Sequence, residues 1–318
     1  MKRYLFIVVF FLFIFSCDKK NSTEEKIMAI PVDLKVDRFD KVFFETSVAD
    51  LALVKKQFPF FFPVGSDDTI WTYKMKDPLW KEVYTEVQQK YADFAPVKEE
   101  LETLFKHIKY YFPKTKSPRV ITVISEMDYN SKVIYADSLL IISLELYLGK
   151  NHKFYQFPNY LKENFEQRQI APDVVSSFAV NKIAAINDKT LLSQMIYYGK
   201  QLYLKDLLLP DYTDAVKMGY TPAQINWCQE NESYMWRYFI EREMLYSNEQ
   251  KLNSRFINPA PFSKFYLEID NDSPGRVGAW IGWQIVRSFA KNNEMPLADL
   301  LKVDAKALFE KSKYKPKK

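Results

Sequence analysis

Between Arg119 and Leu144 the chain changes its hydrophobic period, and this limits the folds open to it. Arg119-Val-Ile-Thr-Val-Ile-Ser125, Lys132-Val-Ile-Tyr-Ala136 and Leu139-Leu-Ile-Ile-Ser-Leu144 are short and rich in β-branched residues, with a turn signal at Asp137-Ser138. The flanking sequence is helical. Leu101, Phe105, Ile108 and Phe112 mark one face of a helix over 96–112, and 78–92 forms another. The pattern therefore predicts an α+β fold, mainly helical, around a small central sheet. The Leu139 strand is apolar almost throughout, so both of its faces should be covered.

Further helices are expected over 37–56, 173–186 and 191–208. Thr221-Pro222-Ala223-Gln224 reads as a capping-box start to a helical segment that runs, with a break, to about Leu245. A last strong helix should open at Ser273 or Pro274 and reach about Lys291. Phe58-Pro-Phe-Phe-Phe-Pro63 is an aromatic block of core or packed-loop type. No repeat or Gly/Ser linker interrupts the chain after residue 31, so 31–318 is expected to be one globular domain.

The N-terminus has the plan of a lipoprotein export signal over residues 1–16. Lys2 and Arg3 precede the apolar run Tyr4 to Phe15, then come Ser16 and Cys17. Twelve apolar residues suit a secretory core and are short for a permanent span. Ile14 and Ser16 stand where a lipobox has its aliphatic and small residues, which makes Cys17 the expected lipidation site. Acyl chains there would hold the protein at a membrane, each buried methylene adding about 0.8 kcal/mol. Residues 17–30 are polar without periodicity and read as a flexible tether. Cys228 is then the one remaining cysteine, expected as a buried thiol.

Composition excludes several chemistries. The chain has two histidines, His107 and His152, 45 residues apart and expected in a polar helix face and a loop. There is no HExxH, GxSxG, GxGxxG or P-loop pattern, so no metal site and no cofactor is expected. The formal charge of +5 is mild and mixed, which gives no nucleic-acid signal. The last eight residues hold five lysines, expected as a solvated tail.

Carboxylates are the remaining candidates for acid–base work: Glu145, Asp206, Asp211, Glu230, Glu232 and Glu241. Glu230 and Glu232 lie near Tyr234 and Trp236, a pairing that suits sugar or peptide recognition. Gly275, Gly278 and Gly282 fall on one stripe of the last strong helix. Glycine costs roughly 1 kcal/mol against alanine there, so close backbone packing or the floor of a cleft should offset it. Tyr147, Tyr197, Tyr198, Tyr234 and Trp236 could present rings to cell-wall glycan, although helical spacing makes most of them core.

The order of short motifs resembles the gliding-motility lipoprotein GldB family. The motifs are Arg38-Phe39-Asp40, Phe58 to Phe62, Ser143-Leu-Glu-Leu-Tyr-Leu-Gly149 and Gln194-Met-Ile-Tyr-Tyr-Gly-Lys200. They continue with Leu208-Leu-Pro-Asp211, Met218-Gly-Tyr-Thr221, Asn231-Glu232 before Trp236, and Pro274-Gly-Arg-Val-Gly-Ala-Trp-Ile-Gly282. The resemblance covers about Arg38 to about Phe289. It implies an envelope-anchored protein required for gliding, working beside the motor and its associated secretion apparatus. The later half is also similar to zincin-type metalloproteases, which carry HExxH on a helix after the sheet. Here that helix would be Asp173 to Ile186, which has neither His nor Glu. That likeness implies a catalytically degenerate zincin-like architecture with a retained cleft and no metal.

The sequence-based expectation is thus a lipid-anchored, non-catalytic protein exposed to the periplasm of a bacterial envelope. It would act through contacts with other gliding and secretion proteins, with cell-wall glycan as a further partner. A carboxylate-type hydrolase acting on peptidoglycan or peptides is the alternative. Cleft or partner-binding residues are expected at Glu145, Tyr147, Tyr198, Glu230, Trp236, Gly275, Gly278 and Gly282, with none catalytic.

Overall fold

The computed structural model describes residues 15–65 and 67–317, with side chains from Ser22 onward. The expected export signal lies outside the described residues except for the backbone of its last two, and so does the Cys17 side chain.

The segment expected as a flexible tether is instead mostly helix. Helix α1 spans Phe15–Met28. It has no apolar stripe, which is why periodicity missed it. Among its described side chains, Ile27 is buried. Two polar contacts add to this, Glu24 Oε1 3.4 Å from His107 Nε2 and Lys106 Nζ donating to the Met28 carbonyl at 3.1 Å. His107 is therefore no surface residue. It is buried beneath α1, and burial lowers its pKa against the opposing charge of Glu24.

Strand β1 (Val36–Arg38) and helices α2 (Phe39–Glu45) and α3 (Leu51–Gln57) divide the region expected as one helix. Three strand residues are too few to show a period of two. Arg38 grips Asp40 with Nε at 3.0 Å and Nη2 at 2.7 Å, and its Nη1 donates to the Tyr91 carbonyl at 2.7 Å. Gln88 Nε2 also donates to Asp40, at 2.8 Å. This pins β1 and α2 to α5 (Pro78–Tyr91), which follows α4 (Asp68–Lys76). Helix α6 (Ala95–Tyr111) buries Leu101, Phe105 and Ile108 along the expected face.

The sheet has four strands in the order β1-β2-β4-β3. Strands β2 (Arg119–Val123), β3 (Val133–Ala136) and β4 (Leu139–Ser143) fall within the three expected segments. Strands β1 and β2 are parallel, as are β2 and β4, with Ile121 opposite Ile141. The hairpin of β3 and β4 is antiparallel, with Tyr135 opposite Leu140. Leu140 and Ile142 enter the main core, while Leu139 and Ile141 pack on a smaller cluster of Phe39, Phe43, Phe58 and Phe62. Strand β4 is thus covered on both faces, and the aromatic block belongs to a core.

The second half is helical: α7 (Asn159–Lys162), α8 (Ile170–Val180), α9 (Leu191–Leu208), α10 (Asp214–Met218), α11 (Pro222–Glu230) and α12 (Glu232–Glu241). The capping box at Thr221 and Gln224 is present, and the break expected in this segment falls at Asn231. Then come α13 (Lys251–Phe256), α14 (Val277–Asn292), α15 (Leu297–Leu300) and α16 (Ala305–Ser312). Helices α9 and α14 form the central crossing of this half.

Helix α14 starts later than expected, because Arg276 takes a left-handed conformation (φ 66°) and blocks earlier helical turns. Gly275 therefore precedes the helix. The C-terminal segment is not wholly a free tail: Tyr314 packs its ring on Trp236 and donates to Glu232 Oε1 at 2.8 Å. Cys228 is buried, and burial raises its thiol pKa.

Candidate functional site

A cleft of about 680 Å³ opens between the segment that leads into β3 and the second-half helices. One rim is the segment Tyr129 to Lys132 that leads into β3. Another is α7 with the turn that follows it. Asp173 and Ser176 of α8, Tyr198 and Lys205 of α9, residues of the segment Met218–Gln224, the loop 259–261 and the pair Gly275–Arg276 form further parts of the wall.

Two of the motifs named above meet at this cleft. Gly219 ends α10 in the left-handed region (φ 74°), a conformation glycine adopts without a Cβ penalty, and Asn164 Nδ2 donates to its carbonyl at 3.1 Å. The Tyr220 hydroxyl then donates to the Gly275 carbonyl, and Arg276 Nη1 donates to the Met218 carbonyl at 3.0 Å. The segments 218–221 and 274–282, far apart in sequence, are thus bonded to each other at the cleft wall.

Charge is unevenly matched here. Asp173, in the first turn of α8, lies 2.5 Å from Lys132 Nζ and accepts from the Tyr147 hydroxyl at 2.8 Å. Lys132 also sits over the Tyr147 ring, 5.3 Å from its centroid. Glu163 is held by Lys150 Nζ at 2.8 and 3.0 Å. Lys205 is only 8 % exposed, and its ammonium donates to the Lys217 carbonyl at 3.0 Å. Burial pushes its pKa down to about 8; Asp173 opposes the fall, while Arg276 and Lys132 add to it. Among the described residues neither Lys205 nor Arg276 has a carboxylate partner.

Of the residues expected at a cleft, Tyr198 and Gly275 line it. Tyr147 lies fully buried behind the wall and acts on it through Asp173. The other residues do not line it. Glu145 is buried in the turn after β4, where Oε1 accepts from the Ser125 amide at 3.0 Å and hydroxyl at 2.6 Å. Its Oε2 has no partner, and burial raises its pKa to about 7. Glu230 is exposed at the end of α11, away from the cleft lining. Trp236 packs on Phe309 of α16 and on Tyr314 just beyond it, while Tyr234, Tyr238 and Phe239 of the same helix pack on Phe265. Gly278 and Gly282 serve helix packing: a Cβ on Gly278 would come within 2.9 Å of the Phe256 carbonyl, and one on Gly282 would strike the Met195 carbonyl. None of the six carboxylates expected as an acid–base pair lines the cleft.

Sequence reasoning missed Lys132, Asp173, Lys205 and Arg276. Two carried a faint signal. Lys205 follows Leu202 and Leu204 and precedes Leu208 and Leu209 in an apolar stretch where a charge is costly, and Arg276 lies between glycines.

Among the described residues no group of three or more His, Cys, Asp and Glu could hold a metal ion, and no helix is long and apolar enough to cross a membrane. No curated protein and no solved structure matches the chain, so the zincin-like expectation gains no support from comparison. A family model described as gliding motility protein GldB matches residues 20–316, nearly the whole described length. The chain therefore belongs to the GldB gliding-motility family.

Proposed function

We propose that this gliding-motility protein is anchored to the envelope by lipid on Cys17 and works by binding, through the cleft, rather than by catalysis. The family is one of lipoproteins, which agrees with the lipobox-like run ending at Cys17. The partners would be other envelope components of the motility and secretion apparatus, met on the periplasmic side, with cell-wall glycan as a further one.

The cleft's composition carries the binding reading. A hydrolase of carboxylate type needs one carboxyl group to give a proton and another to act as base or nucleophile. The two carboxylates here, Asp173 and Glu163, are each held by a lysine. Tyrosines, Ser176, Thr221, side-chain amides and cations supply the rest of the polar lining, a surface suited to holding a ligand.

Three experiments test this, two in gliding cells and one with the purified protein. A photocrosslinker at Tyr160, on the cleft rim, should capture an envelope partner. Hydrolysis of wall fragments or peptides by the purified protein would refute the non-catalytic reading. Cys17→Ala should move the protein into the soluble fraction and abolish gliding; unchanged membrane partitioning would refute the anchor.

A further inference from the structure

We infer that the cleft holds its ligand by an oxyanion, a carboxylate or phosphate group, seated against Lys205 and Arg276 beside the N-terminus of α14. This rests on the binding reading above and adds the chemical class of the ligand.

The charge pairing leads there. Lys132 is matched by Asp173, and Glu163 by Lys150, so the two carboxylates of the lining are occupied. Lys205 and Arg276 are left with one carbonyl each, those of Lys217 and Met218. An ammonium has three donors and a guanidinium five, so most of their capacity is unspent within the protein. Keeping Lys205 at 8 % exposure with only a neutral hydrogen-bond partner is costly, and an apolar side chain of similar length would avoid that cost. An anion brought by a ligand offsets it.

The surroundings favour the same charge. Arg276 is the N-cap of α14, a helix of 16 residues, so the positive end of the helix dipole faces the same wall. Its planar fork matches the two oxygens of a carboxylate or phosphate. The rest of the lining includes Tyr129, Tyr160, Asn130 and Asn159, which suit a polar, uncharged body. A cleft of about 680 Å³ admits a small acidic molecule, or the acidic end of a longer one.

Methyl-observed saturation-transfer NMR on the full chain in detergent tests this with acetate, methylphosphonate and the neutral analogue acetamide as probes. Acetate or methylphosphonate should receive saturation and acetamide should not. Whichever anion dominates distinguishes a carboxylate ligand from a phosphate one. In the Lys205→Met, Arg276→Gln double variant, shown to be folded by cooperative unfolding, the anion signal should fall about tenfold. Equal saturation of acetamide, or an unchanged signal in the folded double variant, would overturn the inference. If the variant does not fold, the wild type still decides: acetate binding should weaken severalfold between about pH 7 and 9 as Lys205 loses its proton, and a flat profile would overturn its role. A negative NMR result with the Tyr160 crosslink intact would remove only the anion chemistry. Anion binding with no crosslinked partner would remove the partner reading instead.

Discussion

Gly199 and Gly282 meet backbone to backbone where α9 crosses α14. A Cβ on Gly199 would collide with the Gly282 carbonyl and approach the Trp283 amide nitrogen to 2.7 Å, and a Cβ on Gly282 would collide with the Met195 carbonyl. The glycines thus set how closely the two longest helices of the second half approach, and backbone atoms cannot move aside as a flexible side chain can.

Gly282→Ala should therefore destabilise the protein by about 3 kcal/mol or more, at the upper end for overpacking. Calorimetry should show a midpoint lowered by about 5 °C. Gly65→Ala is the comparison. Its left-handed φ of +82° is strained for alanine but the space around it is open, so the cost should stay near 1 kcal/mol. Equal shifts for the two variants would contradict the close-approach account.

Glu145 predicts a pH dependence. Its folded-state pKa is about 7 against an ordinary value of 4.5, and burial is the cause. Below about pH 4.5 both folded and unfolded chains hold the proton. As pH rises toward 7 the unfolded chain releases it and the folded chain does not, so stability falls by an amount of order 3 kcal/mol. Glu145→Gln removes this slope. Urea titrations should find the variant more stable than wild type above about pH 7, with the advantage gone below about pH 4. A wild-type advantage at neutral pH would show that Glu145 is held ionised.

Arg287 bridges two carboxylates, Asp206 at 2.7 Å through Nε and Nη2 and Asp214 at 2.8 Å through Nη1 and Nη2. Trp283 lies under the guanidinium, 3.7 Å from its ring centroid, and donates Nε1 to Asp206 at 2.8 Å. Arg287→Met leaves Asp206 with Lys217 alone, at 3.3 Å, and Asp214 without its fork, and should cost about 2 kcal/mol in urea unfolding, after allowance for partial exposure. Arg287→Lys should recover only part of this, since one ammonium cannot present two forks. Full recovery by lysine would reduce the bridge to simple charge neutralisation.

How far the fold could be read in advance depended on the range of the interactions that make it. Helices α6 and α9, the strands β2 to β4 and the Thr221 capping box follow from local periodicity and local hydrogen bonding, and each stands within a few residues of its expected place. Strand β1 and helix α1 have no such pattern. One needs β2 for its hydrogen bonds, and the other is held by Ile27 and by Glu24 near His107. The cleft was less legible still. Tyr198 and Gly275 were foreseen, but Lys132, Asp173, Lys205 and Arg276 are common residue types that gain meaning only from each other. Trp236 misled because an aromatic beside carboxylates looks the same in sequence whether it faces a ligand or α16.

The cleft wall is drawn from positions between Tyr129 and Arg276, and no single segment supplies it. A partly folded chain has no pocket, so a ligand of the cleft binds the native state and ignores the rest. Occupancy and folding are then linked equilibria. A ligand at a hundredfold excess over its dissociation constant would add about 2.7 kcal/mol to the native state. The protein would therefore be more resistant to unfolding in the presence of its ligand than without it, and its lifetime would record the ligand's supply.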